Sequence, residues 1–391
     1  VRTYIITHWR PIAGVIVLGG VALFLLFWRL GGLVPAYSTN EFNTYNQALS
    51  FHALLDNPTN MPYSLLVHAA AWLHPHSILV SRIVSASLAF LVLALFYWLI
   101  QHWHGHRIAW MASMLFATST RFLHTARLGT AQILLFGLFG LIVYGVWLKG
   151  RSKLRFAVPV SLFVACLLVY IPGMIWFVVA GLIWQWRAIA DKIWKTPVWI
   201  TLPVVLPALA LLFPLGWSIV KTPKLAMTFL GLPQHFPHLG DLWHNLYNIP
   251  LSLFYTHSTI TSDLGTPALL TLDSFAIIMF IFGCYLYIRR LKMVRANFLI
   301  AIFGIGIALI TLGTMTVNVL LPFIYVIIAA GVTYLLGQWM VVFPRNVFAR
   351  STGIVLLSFV IALCCIYNFR RYFVAWPTSP TTRTIFSREL S

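Results

Sequence analysis

Runs of about eighteen or more mostly apolar residues recur along this 391-residue chain, and they are the feature that most limits its fold. Each is long enough to cross the hydrocarbon core of a bilayer as a helix. No water is available there, so every backbone N–H and C=O of a crossing segment must be satisfied internally. A soluble fold has no way to hide this much apolar surface. Hydrophobic residues make up 60% of the chain and charged ones 8%, against roughly 25% charged in an ordinary soluble domain. The expected class is an all-α polytopic membrane protein.

The pattern predicts about eleven spans, near 11–30, 78–101, 108–120, 130–148, 156–170, 172–186, 197–219, 271–288, 297–313, 315–340 and 351–368. They form a single transmembrane domain over residues 1–391. The first run is too long for a signal-peptide core and no small-residue cleavage site follows it, so it reads as a retained helix.

Lys and Arg outnumber Asp and Glu by 26 to 7. The basic residues fall in short clusters between apolar runs, such as "KGRSKLR" at 149–155, "RRLKMVR" at 289–295 and "RNVFAR" at 345–350. That is the positive-inside pattern of membrane topology rather than a nucleic-acid patch. It places the N-terminus in the cytoplasm and, with an odd number of spans, the C-terminus outside. The arginines of the C-terminal tail strain this orientation. Cys166, Cys284, Cys364 and Cys365 all lie in apolar runs, which argues against a disulfide framework or a zinc site.

Two long outer segments remain, 31–77 and 220–270. Both are rich in aromatic residues and histidine, as expected of chain lying on the bilayer surface. In the first, Phe42, Tyr45, Leu49 and Leu55 recur at helical steps and predict an interfacial helix. "MPYSLLVHAAAWLHP" at 61–75 predicts a second, opened by Pro62.

The first loop also holds a rare carboxylate. Ser38-Thr39-Asn40-Glu41 fits a capping box, in which Ser38 and Glu41 satisfy free N–H groups at a helix start. A carboxylate in a first helical turn is also kept ionised by the helix dipole and is suited to act as a general base. Both roles fit Glu41. Arg82, about one turn inside the second span, calls for a partner or for snorkelling to the interface, because an unpaired arginine in hydrocarbon is costly. Its candidate partners are Glu41 and a lipid phosphate.

The order of these features resembles the GT-C class of polytopic glycosyltransferases, in particular bacterial relatives of protein O-mannosyltransferases and of the lipid A aminoarabinose transferase (glycosyltransferase family 39-like). The resemblance covers residues 1 to about 186. It rests on one span followed by a loop opening with an acidic-type pair, here "NE"; on two interfacial helices and the arginine of "SRIVSASLAF"; on "TSTRFLHTARLGTAQ"; and on the closely spaced helices around "LVYIPGMIWFVV". It implies transfer of a hexose or pentose from a polyprenyl-phosphate sugar to a lipid, glycan or protein acceptor on the outer face. It also implies a catalytic acid at Asn40, which an amide does not supply, so the role passes to Glu41 or to Asp56. Gln132 stands in a region where relatives often carry an acid. Arg82, Arg121 and Arg127 are then the candidate ligands of the donor phosphate, with interfacial anchoring as the alternative for the last two.

No motif calls for a cofactor. A divalent metal would have to come from His235, His238, Asp241, His244, His257 and Asp263 with His52 or Asp56, but "HFPHLGDLWH" is not a recognised ligand spacing. The "HWHGHR" run at 102–107 reads as a headgroup contact on the other side of the membrane. Two other classes fit the hydropathy: a lipid-binding scaffold that has lost its acid, and a lipid or sugar transporter. For the transporter, intramembrane acids are scarce, with Asp273 the nearest candidate, although Pro203, Pro207 and Pro214 interrupt the seventh span.

Overall fold

A computed structural model describes residues 2–34, 36–73, 77–149, 157–195, 198–254 and 272–386. The described chain is all-helical, and it is a helical membrane protein. Four stretches are long and apolar enough to span a bilayer: Leu79–His104, Val294–Thr311, Val317–Val342 and Val347–Thr378. Shorter apolar helical stretches run over Ala13–Phe27, Ala131–Val146, Met174–Trp184, Ala210–Lys221 and Ser274–Arg289.

Helix α1 (Arg2–Phe27) leads into the first long loop, which folds as α2 (Thr39–Leu49), α3 (Phe51–Asp56) and α4 (Met61–Ala71). One interfacial helix was expected over the α2–α3 stretch. It breaks at Ser50, which takes an extended conformation and accepts the Ala53 N–H to cap α3. The buried face also differs from the expected one: Glu41, Tyr45, Ala48 and Leu54 point inward, while Leu49 is exposed. Pro62 does sit in the first turn of α4. The end of α4 carries the strongly exposed Trp72 and Leu73, as suits a helix in the interface.

Helix α5 (Leu79–His104) receives this loop. The Tyr63 hydroxyl reaches the Ser81 carbonyl at 3.0 Å and Ser85 Oγ at 2.8 Å, fastening α4 to α5. His68 Nδ1 lies 2.8 Å from the Ala48 carbonyl, fastening α4 to α2. A third span was expected over 108–120. The chain instead forms α6 (His106–Thr118), breaks at Ser119, and restarts as the short α7 (Thr120–Arg127), because the Ser119 hydroxyl accepts the Phe122 N–H.

A 3-10 stretch, Ala131–Phe136, precedes α8 (Gly137–Lys149), followed by α9 (Ala157–Val169), α10 (Met174–Lys195) and α11 (Val198–Lys221). Pro203, Pro207 and Pro214 lie inside a continuous α11 rather than interrupting it. The second long segment contains α12 (Lys224–Leu230) and α13 (Leu239–Phe254), whose Leu239, Trp243 and Tyr247 are exposed.

The last helices are α14 (Ser274–Arg289), α15 (Val294–Thr311), α16 (Leu321–Val342), α17 (Val347–Arg370), α18 (Trp376–Thr378) and α19 (Pro380–Ile385). A π-helical turn, Arg371–Ala375, joins α17 to α18. Helix α16 is the buried axis of the bundle, with Leu321 to Val332 all buried. It packs closely on α14 because Gly283 and Gly331 leave the backbones bare: a Cβ on Gly283 would sit 2.8 Å from the Ile327 carbonyl carbon, and one on Gly331 2.8 Å from that of Met279. Phe116 anchors an aromatic core, its ring 4.4 Å from Phe122, 4.8 Å from Phe96 and 5.1 Å from Tyr325.

Candidate functional site

Three of the candidates, Glu41, Arg82 and Arg127, gather where α1 ends, α5 begins and the π-turn after α17 closes over both. Ser38 starts α2, and the capping box is complete: Ser38 Oγ accepts the Glu41 N–H at 3.2 Å, and Glu41 Oε2 accepts the Ser38 N–H at 3.1 Å. Glu41 does more than cap. Arg82 Nε donates to Oε1 at 2.8 Å and Nη2 donates to Oε2 at 2.9 Å, while the Gly129 N–H donates to Oε1 at 2.8 Å. Four donors therefore converge on a carboxylate with 0% exposure. A carboxylate so held is fully occupied, and it meets a substrate proton only if one of these bonds opens.

Arg82 also donates to the carbonyls of Val34 at 3.0 Å and Ala36 at 3.1 Å, and it lies 4.6 Å from the Tyr37 ring centre. Its guanidinium ties the start of the first loop to α5, which accounts for a buried arginine at that depth without snorkelling.

Arg127 ends α7 and plays a parallel part at the end of α1. It donates to the carbonyls of Leu25 at 2.6 Å, Leu26 at 3.2 Å and Trp28 at 2.8 Å, which a terminating helix leaves without partners. The Phe373 ring centre is 4.9 Å away, and the Tyr372 side chain is hydrogen-bonded to it. All of these partners are neutral. Burial pushes the Arg127 guanidinium below its ordinary value, Tyr372 opposes the shift, and nearby Arg82 adds to it. Among the described residues the ion pairs are Arg82–Glu41 and Lys221–Asp56, so no carboxylate offsets Arg127.

Arg82 and Arg127 border one small cavity with Leu30, Leu33, Val34, Leu128, Tyr372 and Trp376. Its free volume is about 10 Å³, room for roughly one water. Tyr372 and Trp376 form its C-terminal wall, placed by the π-turn; such a change of helical pitch often marks functional sites.

Arg121 does not join this cavity. From another face of α7 its Nε donates to Asn318 Oδ1 at 2.6 Å, and Asn318 Nδ2 donates to Gln132 Oε1 at 3.1 Å. Burial holds the Arg121 guanidinium down to about 10. Gln132 thus serves a buried network linking α7 to the segment before α16. The other two first-loop candidates lie apart from Glu41: Asn40 is exposed at the start of α2, and Asp56 is exposed, with Lys221 Nζ 3.8 Å from its Oδ1.

Gly129, Asn318, Tyr372 and Trp376 were not anticipated. Gly129 had the clearest signal, a glycine directly after a short helix. A Cβ there would lie 2.9 Å from Ser81 Cβ and 3.3 Å from the Arg82 nitrogen, so only glycine brings this N–H to Glu41. In the segment after α12, Asp241 Oδ2 accepts the His238 N–H at 3.1 Å, a capping contact. His257 and Asp263 lie outside the described residues. Among the described residues no three His, Cys, Asp or Glu side chains come together as a metal site. Asp273 caps α14 by accepting the Ala276 N–H at 2.7 Å and accepts Asn368 Nδ2 at 2.8 Å.

No protein-family model matches the chain, and comparison with curated proteins and with solved structures found no match.

Proposed function

We propose that the chain is a membrane glycosyltransferase that takes a sugar from a polyprenyl-phosphate donor and passes it to a lipid, glycan or protein acceptor at the outer face of a bacterial cytoplasmic membrane. In this reading about eleven spans carry the chain, with its N-terminus inside and its C-terminus outside. The observation that supports it most is Arg127, a buried cation with no carboxylate partner among the described residues, sharing a cavity with Arg82. A buried charge without a counter-ion is costly, and a lipid phosphate at the membrane boundary supplies the missing anion. As the glycosidic bond breaks, negative charge grows on that phosphate, and the two guanidinium groups stabilise it. The cavity is too small for a phosphate as it stands, so Tyr372 and Trp376 move aside when the donor binds.

Glu41 then acts as a positioning residue, holding Arg82 and, through Gly129, the chain just after Arg127. The acceptor arrives on the exposed side of α2 and α3. Of the candidates there, Asn40 takes no proton, and Asp56 is the carboxylate in contact with solvent. Turnover of radiolabelled polyprenyl-phosphate sugars by wild type, Arg127→Met and Asp56→Asn tests this: transfer by wild type alone supports the assignment, and full transfer by both variants sinks it.

A second reading is favoured by the four bonds on Glu41 together with an amide at Asn40. The chain would bind the lipid phosphate as a scaffold without transferring the sugar. Saturable binding of polyprenyl phosphate without turnover of any donor is its signature.

A further inference from the structure

Next to the arginine cavity lies a set of buried polar groups for which the described residues supply no partner. His124, on α7 between Arg121 and Arg127, is 2% exposed, and neither ring nitrogen has a hydrogen bond. Its ring meets that of Trp376 edge-on, with centres 5.3 Å apart, and Trp376 Nε1, 2% exposed, is also unpartnered. Thr125 Oγ1 follows His124 on α7. Thr382 Oγ1 lies on α19, just before Phe386, whose ring packs on Trp376 at 5.6 Å. Each threonine is 1% exposed and unpaired. Native proteins leave few such atoms unmet, and five on the three short helices α7, α18 and α19 is a concentration that packing alone does not explain.

The chemistry of the set is specific. An indole N–H donates, each threonine hydroxyl both donates and accepts, and a neutral imidazole does one at each nitrogen. No carboxylate is among them, and burial, with Arg121 adding to it, holds the His124 imidazole down to about 3, so it is neutral at physiological pH. A neutral ligand presenting several hydroxyls matches these requirements. An anion would find its partners one step away at Arg127. Trp376 belongs to both places: it walls the arginine cavity and touches His124.

We infer that His124 and Trp376, with Thr125 and Thr382, form a subsite for the hydroxyl groups of a sugar whose phosphate is held by Arg82 and Arg127. This rests on the lipid-phosphate reading above and adds to it the place where the sugar is recognised.

Two probes separate the parts: polyprenyl monophosphate, which has no sugar, and polyprenyl-phosphoryl hexose, assayed with mannose and glucose forms on the full chain in nanodiscs. His124→Phe keeps an aromatic ring against Trp376, and Thr125→Val keeps the branched shape of its side chain, while each removes the polar atoms. Wild type is expected to bind at least one sugar-bearing lipid about tenfold more tightly than the bare phosphate, the scale of one or two buried hydrogen bonds. Both variants are expected to keep binding of the bare phosphate and to lose that difference. Equal binding of sugar-bearing and bare lipids by wild type, or a difference that survives in both variants, overturns the subsite while leaving the phosphate site intact, and the unpaired atoms then belong to trapped water. If wild type binds neither lipid, the phosphate site falls and the subsite with it.

Discussion

Glu41 and Arg82 meet across 41 positions of sequence as a two-pronged ion pair without solvent contact, with Nε–Oε1 at 2.8 Å and Nη2–Oε2 at 2.9 Å. The same carboxylate closes the first turn of α2 and accepts the Gly129 N–H. One side chain therefore joins the first long loop, α5 and the turn after α7.

Removing either partner strands a buried charge. Glu41→Gln and Arg82→Met are each expected to lower stability by about 3–5 kcal/mol, whereas Glu41→Leu with Arg82→Met loses clearly less than the sum. Ser38→Ala removes only the cap and is expected to cost about 1 kcal/mol. Unfolding titrations of the four variants in detergent measure this. If Glu41→Gln costs no more than Ser38→Ala, the pair is not holding the site.

Gly129→Ala forces a Cβ against Ser81 and pulls the N–H from Glu41. The expected loss is about 1–3 kcal/mol by the same titration. A neutral effect would show that the Ser81 contact relaxes freely.

Much of the helical class was legible because apolar runs and charge clusters are written locally. The capping box was legible for the same reason, since Ser38 and Glu41 are three residues apart. For Arg82 the sequence left snorkelling, Glu41 and a lipid phosphate open, and the structure pairs it with Glu41. The remaining contacts depend on chain brought in from afar. Gly129 meets Glu41 over 88 positions and Asn318 meets Arg121 over 197, and no local period encodes either. The breaks at Ser50 and Ser119 were missed because a serine that caps a helix looks, in sequence, like one that continues it.

His124 gives a pH dependence. Its folded value lies near 3, below the ordinary histidine value of about 6.5, so the unfolded chain binds the proton first. The stability contributed by neutral His124 is complete above about pH 6.5 and is lost as pH falls toward 3, by about 1.4 kcal/mol per unit once well below 6.5. Arg121, one turn earlier on α7, and Trp376 face it and do not titrate in that window. His124→Phe is expected to flatten this part of the stability profile between pH 6 and 4.5. An unchanged slope would mean that His124 is protonated in the folded chain.

Asp56 and Glu41 are separable by kinetics. Asp56→Asn removes an exposed carboxylate and is expected to leave stability within about 0.5 kcal/mol of wild type while abolishing sugar transfer. Transfer at the wild-type rate would remove Asp56 from the mechanism.

The central claim, that the cavity of Arg82 and Arg127 takes a lipid phosphate, is tested most directly by equilibrium binding of polyprenyl monophosphate and of the matching polyprenol to the full chain in nanodiscs. The expected result is saturable binding of the phosphate, at least tenfold weaker binding of the alcohol, and loss of that preference in folded Arg127→Met. Equal affinity for alcohol and phosphate, or a preference that survives Arg127→Met, would contradict it.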